Sequence, residues 1–327
     1  MTDRPAPSPA QRRPASPLEG RLASGAFVVT TEMVPPDSAD PADFRRQLAP
    51  YRGCADAINV PDGPGANCHM SSLAAAALLA REGLQPIMQM CCRDRNVIAV
   101  QADILGAAAL GVHNLLCLRG DDVANGDHAW ARPVFELDSL ELMRTAVTLS
   151  REGRLRSGRV LAAAPALFIG GAVNPFGGTV EGCVANFAQK VAAGARFVQS
   201  QYCFDVARLQ AFMQQVRDQG LHERCAILVG VGLLPSARAA RWMRQHIPGT
   251  AIPDALIDRL ERSPNAAVTG VDICLELIEQ VRAVPGVAGV HLMMHRHAQW
   301  LAEIVERAGL ARQAPGVDRG SVVEVSR

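Results

Sequence analysis

The first apolar run of the chain is Phe27-Val28-Val29-Thr30-Thr31-Glu32, and Met33-Val34-Pro35-Pro36 follows it. The run predicts a buried β-strand, and the two prolines indicate that the strand has ended. Its last residue is a carboxylate, which is costly at such a point unless it is solvated, paired or protonated. In a parallel α/β protein, Glu32 would stand at the carboxyl end of the first strand, where catalytic residues are usually found. Glu32 is therefore a candidate acid or base.

Apolar strand-like segments alternate with helical patterns along the rest of the chain. The eight strand candidates are Phe27–Glu32, Ala55–Val60, Pro86–Met90, His113–Leu118, Ala166–Val173, Phe197–Gln201, Ile227–Leu233 and Val287–Met293. This alternation predicts an α/β fold, a closed (β/α)₈ barrel of the TIM type with extra helices before the eighth strand. An open doubly wound sheet is the alternative, although Pro35-Pro36 occupies the place of the glycine-rich turn that it would need.

Composition is that of one large globular domain. The 327 residues are 49% hydrophobic and 20% charged, and the net charge of +1 gives no electrostatic case for nucleic acid or an anionic membrane. Residues 1–24 are rich in proline and arginine and predict a disordered tail, 25–311 a single catalytic domain, and 312–327 a flexible tail. The longest apolar stretch, Val160–Val173, is too short to cross a bilayer. Nine cysteines without any Cys-x-x-Cys pattern, and no signal-peptide core, predict a cytoplasmic protein.

Polar side chains occur where nearly every predicted strand ends. They are Glu32, Asn59, Asp62, Gln89, Arg119, Asp121, Asn174, Gln199 and Gln201. Histidines do not converge on these ends, and we interpret His291, His295 and His297 as a mixed polar surface, so no metal site is predicted. We interpret the adjacent Cys91 and Cys92 as small buried hydrophobes rather than nucleophiles.

An amide-rich pocket with two carboxylates is typical of a site for a planar heterocycle, because each amide offers both a donor and an acceptor. One carboxylate can accept two N–H groups from a pterin or purine edge, and a second can stay protonated and act as an acid. For Asp121, a helix N-cap or an ion pair with Arg119 is an alternative that spacing alone slightly favours. Lys190 is the only lysine among 33 basic residues, by chance or for a reason.

Five motifs, in order, resemble the methylenetetrahydrofolate reductases, and the resemblance covers roughly residues 26 to 305. They are Thr31-Glu32-Met33-Val34-Pro35-Pro36, Leu118-Arg119-Gly120-Asp121, Lys190-Val191-Ala192-Ala193-Gly194-Ala195, Gln199-Ser200-Gln201-Tyr202-Cys203-Phe204-Asp205 and Gly232-Leu233-Leu234-Pro235. The run Cys92-Arg93-Asp94-Arg95-Asn96 is similar to the branch that is paired with, or fused to, homocysteine methyltransferases. Each motif alone is weak, but five in order are specific.

The resemblance implies a flavin, FAD or else FMN, at the carboxyl ends of the strands. NADH or NADPH would reduce it, and 5,10-methylenetetrahydrofolate would then accept a hydride and become 5-methyltetrahydrofolate. Glu32 matches the general acid that protonates folate N5 as the ring opens to an iminium. Asp121 matches an aspartate that binds the pterin and modulates the flavin, and Gln201, with Tyr202 beside it, matches a glutamine that contacts folate. The residues expected to bind the cofactor are Asn59, Gln89, Arg119, Gly120, Asn174 and Lys190, the last near the flavin phosphates.

Departures from the family pattern keep alternatives open. Gln89 replaces a histidine, and Val173–Gly178 replaces a Tyr-Pro-x-x-His pattern. A reductase that lacks flavin or depends on an electron-donating subunit is one alternative. Others are operation in the oxidative direction, a pterin-binding methyltransferase barrel without a redox cofactor, and a non-catalytic folate-binding subunit. A homo-oligomer is expected, and nucleic-acid and membrane partners are not.

Overall fold

The computed structural model describes residues 13–247 and 249–311, which form a closed barrel of parallel strands. The strands are β1 (Val28–Glu32), β2 (Ala57–Val60), β3 (Pro86–Cys91), β4 (Asn114–Leu118), β5 (Phe168–Val173), β6 (Phe197–Tyr202), β7 (Ala226–Gly232) and β8 (Val287–Met293). β1 pairs with β2 and also with β8, where Val28 lies opposite Gly289. The predicted (β/α)₈ barrel is confirmed, and the open sheet is excluded because both of its edges are joined.

Helices cover the outside of the barrel. They are α1 (Pro17–Ala23), α2 (Pro41–Leu48), α3 (Ser72–Arg81), α4 (Val97–Ala109), α5 (Ser139–Val147), α6 (Val180–Ala193), α7 (Val206–Asp218), α8 (Ala237–His246), α9 (Asp254–Arg262), α10 (Ala266–Arg282) and α11 (Leu301–Arg307). The three helices α8 to α10 lie between β7 and β8, which confirms the predicted extra helices. Gly194 caps the carboxyl end of α6 with a φ of +112°, which is the left-handed cap predicted from the sequence.

Helix α1 corrects the prediction that residues 1–24 are disordered. Ser16 accepts a hydrogen bond from the backbone N–H of Glu19, and Pro17 occupies the first helical turn. Leu18 is fully buried, and the hydroxyl of Ser16 donates to Asn114 on β4 at 2.5 Å. The signal was present as a Ser-x-x-Glu capping box, which the composition argument overlooked. The predictions for residues 1–12 and 312–327 lie outside the described residues.

An apolar layer fills the amino end of the barrel. It contains Leu18, Val28, Ala57, Ile87, Leu116, Phe168, Phe197 and Leu228. The rings of Phe168 and Phe197 stack with their centroids 4.8 Å apart. Because side chains alternate along a strand, this layer fixes which residues above it face the lumen. No helix in the described residues is long and apolar enough to cross a membrane.

Candidate active site

Alternation along the strands brings Glu32 into the mouth of the barrel. On β1, Val28 belongs to the apolar layer, so Thr30 and Glu32 face the lumen above it. On β3, Ile87 belongs to that layer, so Gln89 faces the lumen as well. Nε2 of Gln89 donates a hydrogen bond to Oε2 of Glu32 at 3.0 Å. The structure therefore joins two of the residues that the sequence selects.

The proton affinity of Glu32 is set by two opposing effects. Burial raises the pKa of Glu32 above its ordinary value because it removes solvation from the charged form. The hydrogen bond from Gln89 acts in the opposite direction and is the smaller effect. A carboxyl group that holds its proton at higher pH is suited to act as a general acid.

Both tyrosines of the chain lie within electrostatic range of Glu32. Burial, followed by the charge of Glu32, raises the pKa of Tyr51 to about 12, and the same two causes raise the pKa of Tyr202. The ring of Tyr202 packs against Gly232 so closely that a Cβ there would overlap it. Gly232 is therefore what allows Tyr202 to lie at this edge of the barrel.

A buried polar layer lies beneath the mouth. Asn59 on β2 and Gln199 on β6 exchange two hydrogen bonds, of 2.6 and 3.0 Å, across the lumen. Nε2 of Gln199 also lies 3.1 Å from Oγ1 of Thr30 and 3.3 Å from Nδ1 of His291. All four side chains are at most 3% exposed. Burial lowers the pKa of His291 to about 3, so this imidazole is neutral.

The polar layer contains Asn59 and His291, and it corrects the interpretation of His291 from the sequence. Asn59, which was expected to line the flavin, is fully buried and its amide is bonded to Gln199. His291 was interpreted as a surface residue, but it lies in the lumen against Thr30, with 3.0 Å between Nδ1 and Oγ1. The sequence signal for this layer is its spacing, since Thr30 and Gln199 stand two residues before Glu32 and Gln201.

The mouth is open on the side of β5 and β6. Ala172 lies four residues after the apolar-layer residue Phe168 on β5 and therefore faces the lumen as well. It is exposed, so solvent reaches the lumen at that height. Gln201 is half-buried, and its Oε1 accepts a hydrogen bond from the backbone N–H of Tyr202 at 3.0 Å. That bond fixes the amide and leaves Nε2 of Gln201 as a donor toward a ligand.

Asp121 lies on the loop after β4 and has neither of the roles that spacing favoured. Its Oδ2 accepts a hydrogen bond from the backbone N–H of Gly65 at 2.8 Å, which ties the loops after β2 and β4 together. The neighbouring Asp122 caps the short turn Val123–Asn125 instead. Within residues 13–247 and 249–311, no hydrogen bond or ion pair joins Asp121 to Arg119 or Glu32. Asp121 is exposed, and its other oxygen is available to a ligand.

Lys190, which was expected near the flavin phosphates, is buried behind β5 in this structure. It is 9% exposed and lies outside the strand wall, between β5 and α5. A Cβ on Gly171 would lie 3.8 Å from the Lys190 Cδ and would overlap Met143 of α5. Burial lowers the pKa of Lys190, and the nearby thiol of Cys117 and carboxylate of Asp138 act in the opposite direction.

Asn174 follows β5, and the loop around it uses its side chain. Its Oδ1 accepts a hydrogen bond from the backbone N–H of Phe176 at 3.0 Å. A Cβ on Gly249 would overlap the same amide, so the loop after α8 packs directly on Asn174. The structure therefore assigns Asn174 a turn-forming contact within the chain.

Arg95, within the run Cys92–Asn96, forms half-buried ion pairs with two carboxylates. Arg95 donates to Asp62 at 2.6 Å and to Asp103 at 2.7 Å. Asp62 also accepts from the backbone N–H of Cys91, so the pair fixes the end of β3 two residues beyond Gln89. Burial raises the pKa of Cys91 to about 12 and that of Cys92 to about 11, so both thiols stay protonated, as expected of buried small hydrophobes.

No group of three His, Cys, Asp or Glu side chains in the described residues has a geometry that could hold a metal ion. The fold is a (β/α)₈ barrel with a polar cluster at the carboxyl ends of its strands, which is where such barrels usually hold their ligand sites. The chain belongs to the methylenetetrahydrofolate reductase family, whose family model matches residues 18–309.

Two similar proteins give the scale of that relationship. Methylenetetrahydrofolate reductase 1 of Schizosaccharomyces pombe is 25% identical over 247 residues, which are 72% of this chain and 38% of that protein. The chain thus matches less than half the length of this relative. An uncharacterized protein from Clostridium thermocellum, described as binding two copies of 5-methyl-5,6,7,8-tetrahydrofolic acid, has a TM-score of 0.60 at 12% identity. The match covers 90% of this chain and 98% of that one, and at such identity it shows the fold alone.

Proposed function

We propose that this protein interconverts 5,10-methylenetetrahydrofolate and 5-methyltetrahydrofolate by hydride transfer, with Glu32 as the general acid. The observation that carries the proposal is the Glu32–Gln89 pair in the barrel mouth, with the pKa of Glu32 raised by burial. Membership of the methylenetetrahydrofolate reductase family supports the reaction. The folate described for the Clostridium thermocellum structure supports the substrate class.

The reaction requires a proton before it requires a hydride. The five-membered ring of methylenetetrahydrofolate opens when N10 takes a proton and its bond to the methylene carbon breaks, which leaves that carbon as an iminium on N5. Because the product carries its methyl group on N5, the proton must go to N10, and the expectation that N5 receives it is corrected. Glu32, whose pKa is raised by burial, would give that proton, and Gln89 would keep the resulting carboxylate oriented. Gln201 and Tyr202, on the open side of the mouth, would hold the pterin, and the free oxygen of Asp121 would accept from its N–H edge.

Some of the residues expected to bind a flavin have side chains that are free to do so. Oε1 of Gln89 is left to meet a ring N–H, because only its Nε2 is used by Glu32. Arg119 and Gly120 stand at the same edge, and the exposed guanidinium of Arg119 suits a phosphate. When bound, the flavin would accept a hydride from NADH or NADPH and pass it to folate. Asn59, Asn174 and Lys190 are left out of this cofactor assignment because their side chains are buried or engaged elsewhere.

The deciding experiment is an anaerobic absorption spectrum of the purified protein. We expect a yellow protein that bleaches with NADH or NADPH and regains its colour with methylenetetrahydrofolate as 5-methyltetrahydrofolate forms. A colourless protein that added flavin does not activate, but that still forms 5-methyltetrahydrofolate from NAD(P)H, would leave the reaction standing without the flavin. Failure to form or consume 5-methyltetrahydrofolate under any of these conditions would refute the proposed function.

A further inference from the structure

Arg119 presents an exposed guanidinium at the carboxyl edge of the barrel, directly after β4. Its central carbon lies 4.6 Å from the centroid of the Phe135 ring, which is a cation–π contact. In the described part of the chain, this guanidinium has no hydrogen bond or ion pair with another residue. The ring covers one face of the guanidinium, so the N–H groups at its edges remain free to form a bidentate contact.

Phe135 holds this position in an unfavourable backbone conformation. Its φ is +44°, in the left-handed region that a bulky aromatic residue rarely adopts. Such conformations persist only when the surroundings impose them, and they concentrate where a side chain must be aimed. The strain is therefore a second observation, independent of the cation–π contact, that the ring is held in place.

The contacts that hold Phe135 in this backbone conformation come from the Cys92–Asn96 run. The backbone N–H of Phe135 donates to the carbonyl of Cys92 at 3.1 Å, and that of Val134 donates to Arg93 at 2.7 Å. The N–H of Cys92 in turn donates to the carbonyl of Arg119 at 3.1 Å. One peptide segment thus holds both the arginine and the aromatic residue that covers it. Arg93 is 4% exposed and donates to the carbonyl of Gly63, which anchors this segment to the loop after β2.

The neighbouring carboxylates of Asp121 and Asp122 do not bind the guanidinium of Arg119. Asp121 accepts from the backbone N–H of Gly65, and Asp122 accepts from that of Ala124. Both carboxylates are thereby held on the loop and away from the guanidinium. The free edges of Arg119 are left for a ligand that carries negative charge.

We propose that Phe135 is a positioning residue that holds Arg119 for an anionic group, a phosphate or a carboxylate, of the ligand bound in the mouth. This inference rests on the proposed function for the identity of the ligand. Flavin nucleotides bring phosphates and folates bring glutamate carboxylates, and both suit the planar fork of arginine. The ring acts by fixing the arginine and makes no contact with the anion itself.

A double-mutant cycle tests the arrangement. Dissociation constants are measured for the wild type, Phe135→Leu, Arg119→Ala and the double variant. Phe135→Leu should weaken binding of the anionic ligand about 2- to 10-fold, the size of an exposed to partly desolvated cation–π contact. The double variant should bind no more weakly than Arg119→Ala, because the ring acts only through the arginine. An effect of Phe135→Leu that persists in full in the Arg119→Ala background would overturn the proposal.

Paired ligands separate the two sources of the anion. If the anion is a phosphate, Phe135→Leu weakens FAD and FMN and leaves riboflavin unchanged. If it is a carboxylate, the variant weakens 5-methyltetrahydrofolate and leaves the corresponding 5-methyltetrahydropterin unchanged. Equal weakening of charged and uncharged ligands would contradict the proposal, because it would indicate a general loss of structure.

Two further variants serve as controls for this experiment. Phe27→Leu removes a second cation–π pair, with Arg282 at 5.4 Å, before the amino end of β1, and should leave every dissociation constant unchanged. Phe135→Gly removes the ring and also relieves the positive φ, so it should fold and show the same loss of affinity.

Inorganic pyrophosphate, titrated against the same proteins, tests the Phe135–Arg119 pair even if the reductase assay fails. Failure of turnover with the pyrophosphate cycle intact would count against the proposed function alone, and wild-type protein that binds none of these anions would overturn this inference.

Discussion

Nε2 of Gln89 donates a hydrogen bond of 3.0 Å to Oε2 of Glu32, between the end of β1 and the lumen face of β3. The bond stabilises the charged carboxylate, whereas burial destabilises it more strongly and raises the pKa of Glu32. The pair therefore sets how tightly the candidate acid holds its proton. Both residues stand on rigid strands, which is how a catalytic contact is kept in place.

Glu32→Gln should slow the reduction of methylenetetrahydrofolate by about 10²–10⁴-fold, the usual contribution of a positioned general acid. Oxidation of NAD(P)H with an artificial electron acceptor should stay close to the wild-type rate, since that half-reaction does not involve folate. Stopped-flow measurement of each half-reaction checks both expectations. Glu19→Gln, in α1 at the opposite end of the barrel, is the matched control. Equal loss in the two half-reactions would remove Glu32 from the acid role.

Gln89→Met keeps the side-chain length but removes the hydrogen bond. Because that bond lowers the pKa of Glu32, its loss should raise the pKa further. Folate reduction needs the protonated acid, so its rate falls as pH rises through that pKa. The alkaline limb of the pH–rate profile should consequently move to higher pH in Gln89→Met. A limb that stays in place or moves to lower pH would show that Gln89 does not tune Glu32.

Stability should respond to Glu32 with a defined sign. The folded protein holds this proton above the ordinary glutamate pKa of about 4.5, so the native state binds more protons than the unfolded state. The stabilisation of the folded state that comes from this proton is fully present below pH 4.5 and is lost as pH rises through the raised pKa of Glu32. Glu32→Gln should therefore gain stability relative to the wild type as the pH rises above about 4.5. Urea unfolding at each pH measures the difference, and a constant difference would contradict the linkage.

His291 should give the opposite slope. Its pKa is lowered to about 3, so the native state binds fewer protons than the unfolded state below about pH 6.5. The stability from neutral His291 is present above pH 6.5 and is lost as pH falls toward 3. His291→Asn keeps an acceptor where Nδ1 meets Thr30 and cannot titrate. Its free energy of unfolding should fall less steeply than that of the wild type between pH 7 and pH 4, as urea unfolding can measure.

The barrel was predictable from the sequence because its strands are buried on both faces and read as apolar runs. The run before Pro35-Pro36 shows this well, since its end at Glu32 follows from proline chemistry alone. Glu32 and Gln89 could also be selected, because polar residues that end buried strands need partners. Their direct pairing follows only once the strands are ordered in a closed barrel.

Other parts of the site depend on contacts that no local pattern reveals. Asn59 is a strand-end amide like Gln89, and only its pairing with Gln199, 140 positions away, seals it beneath the mouth. Lys190 is distinctive in composition, yet its place on α6 directs it behind β5. Phe135 has no signal at all, because its left-handed φ is imposed by hydrogen bonds from another loop.

A mutation in α1 can distinguish the helix seen in the structure from the disordered tail that the composition predicted. A disordered tail would tolerate Leu18→Ala, whereas the structure buries Leu18 completely in the apolar layer. We expect Leu18→Ala to lower the free energy of unfolding by about 2–5 kcal/mol. Ser16→Ala should lower it by about 1–3 kcal/mol, because it removes the N-cap and the hydrogen bond to the buried Asn114. Ser24→Ala is the control, because its hydroxyl only bonds the exposed carbonyl of Arg21 and should matter by less than about 0.5 kcal/mol. Chemical denaturation of the three variants decides the matter, and equal stability of Leu18→Ala and Ser24→Ala would return residues 17–23 to the disordered tail.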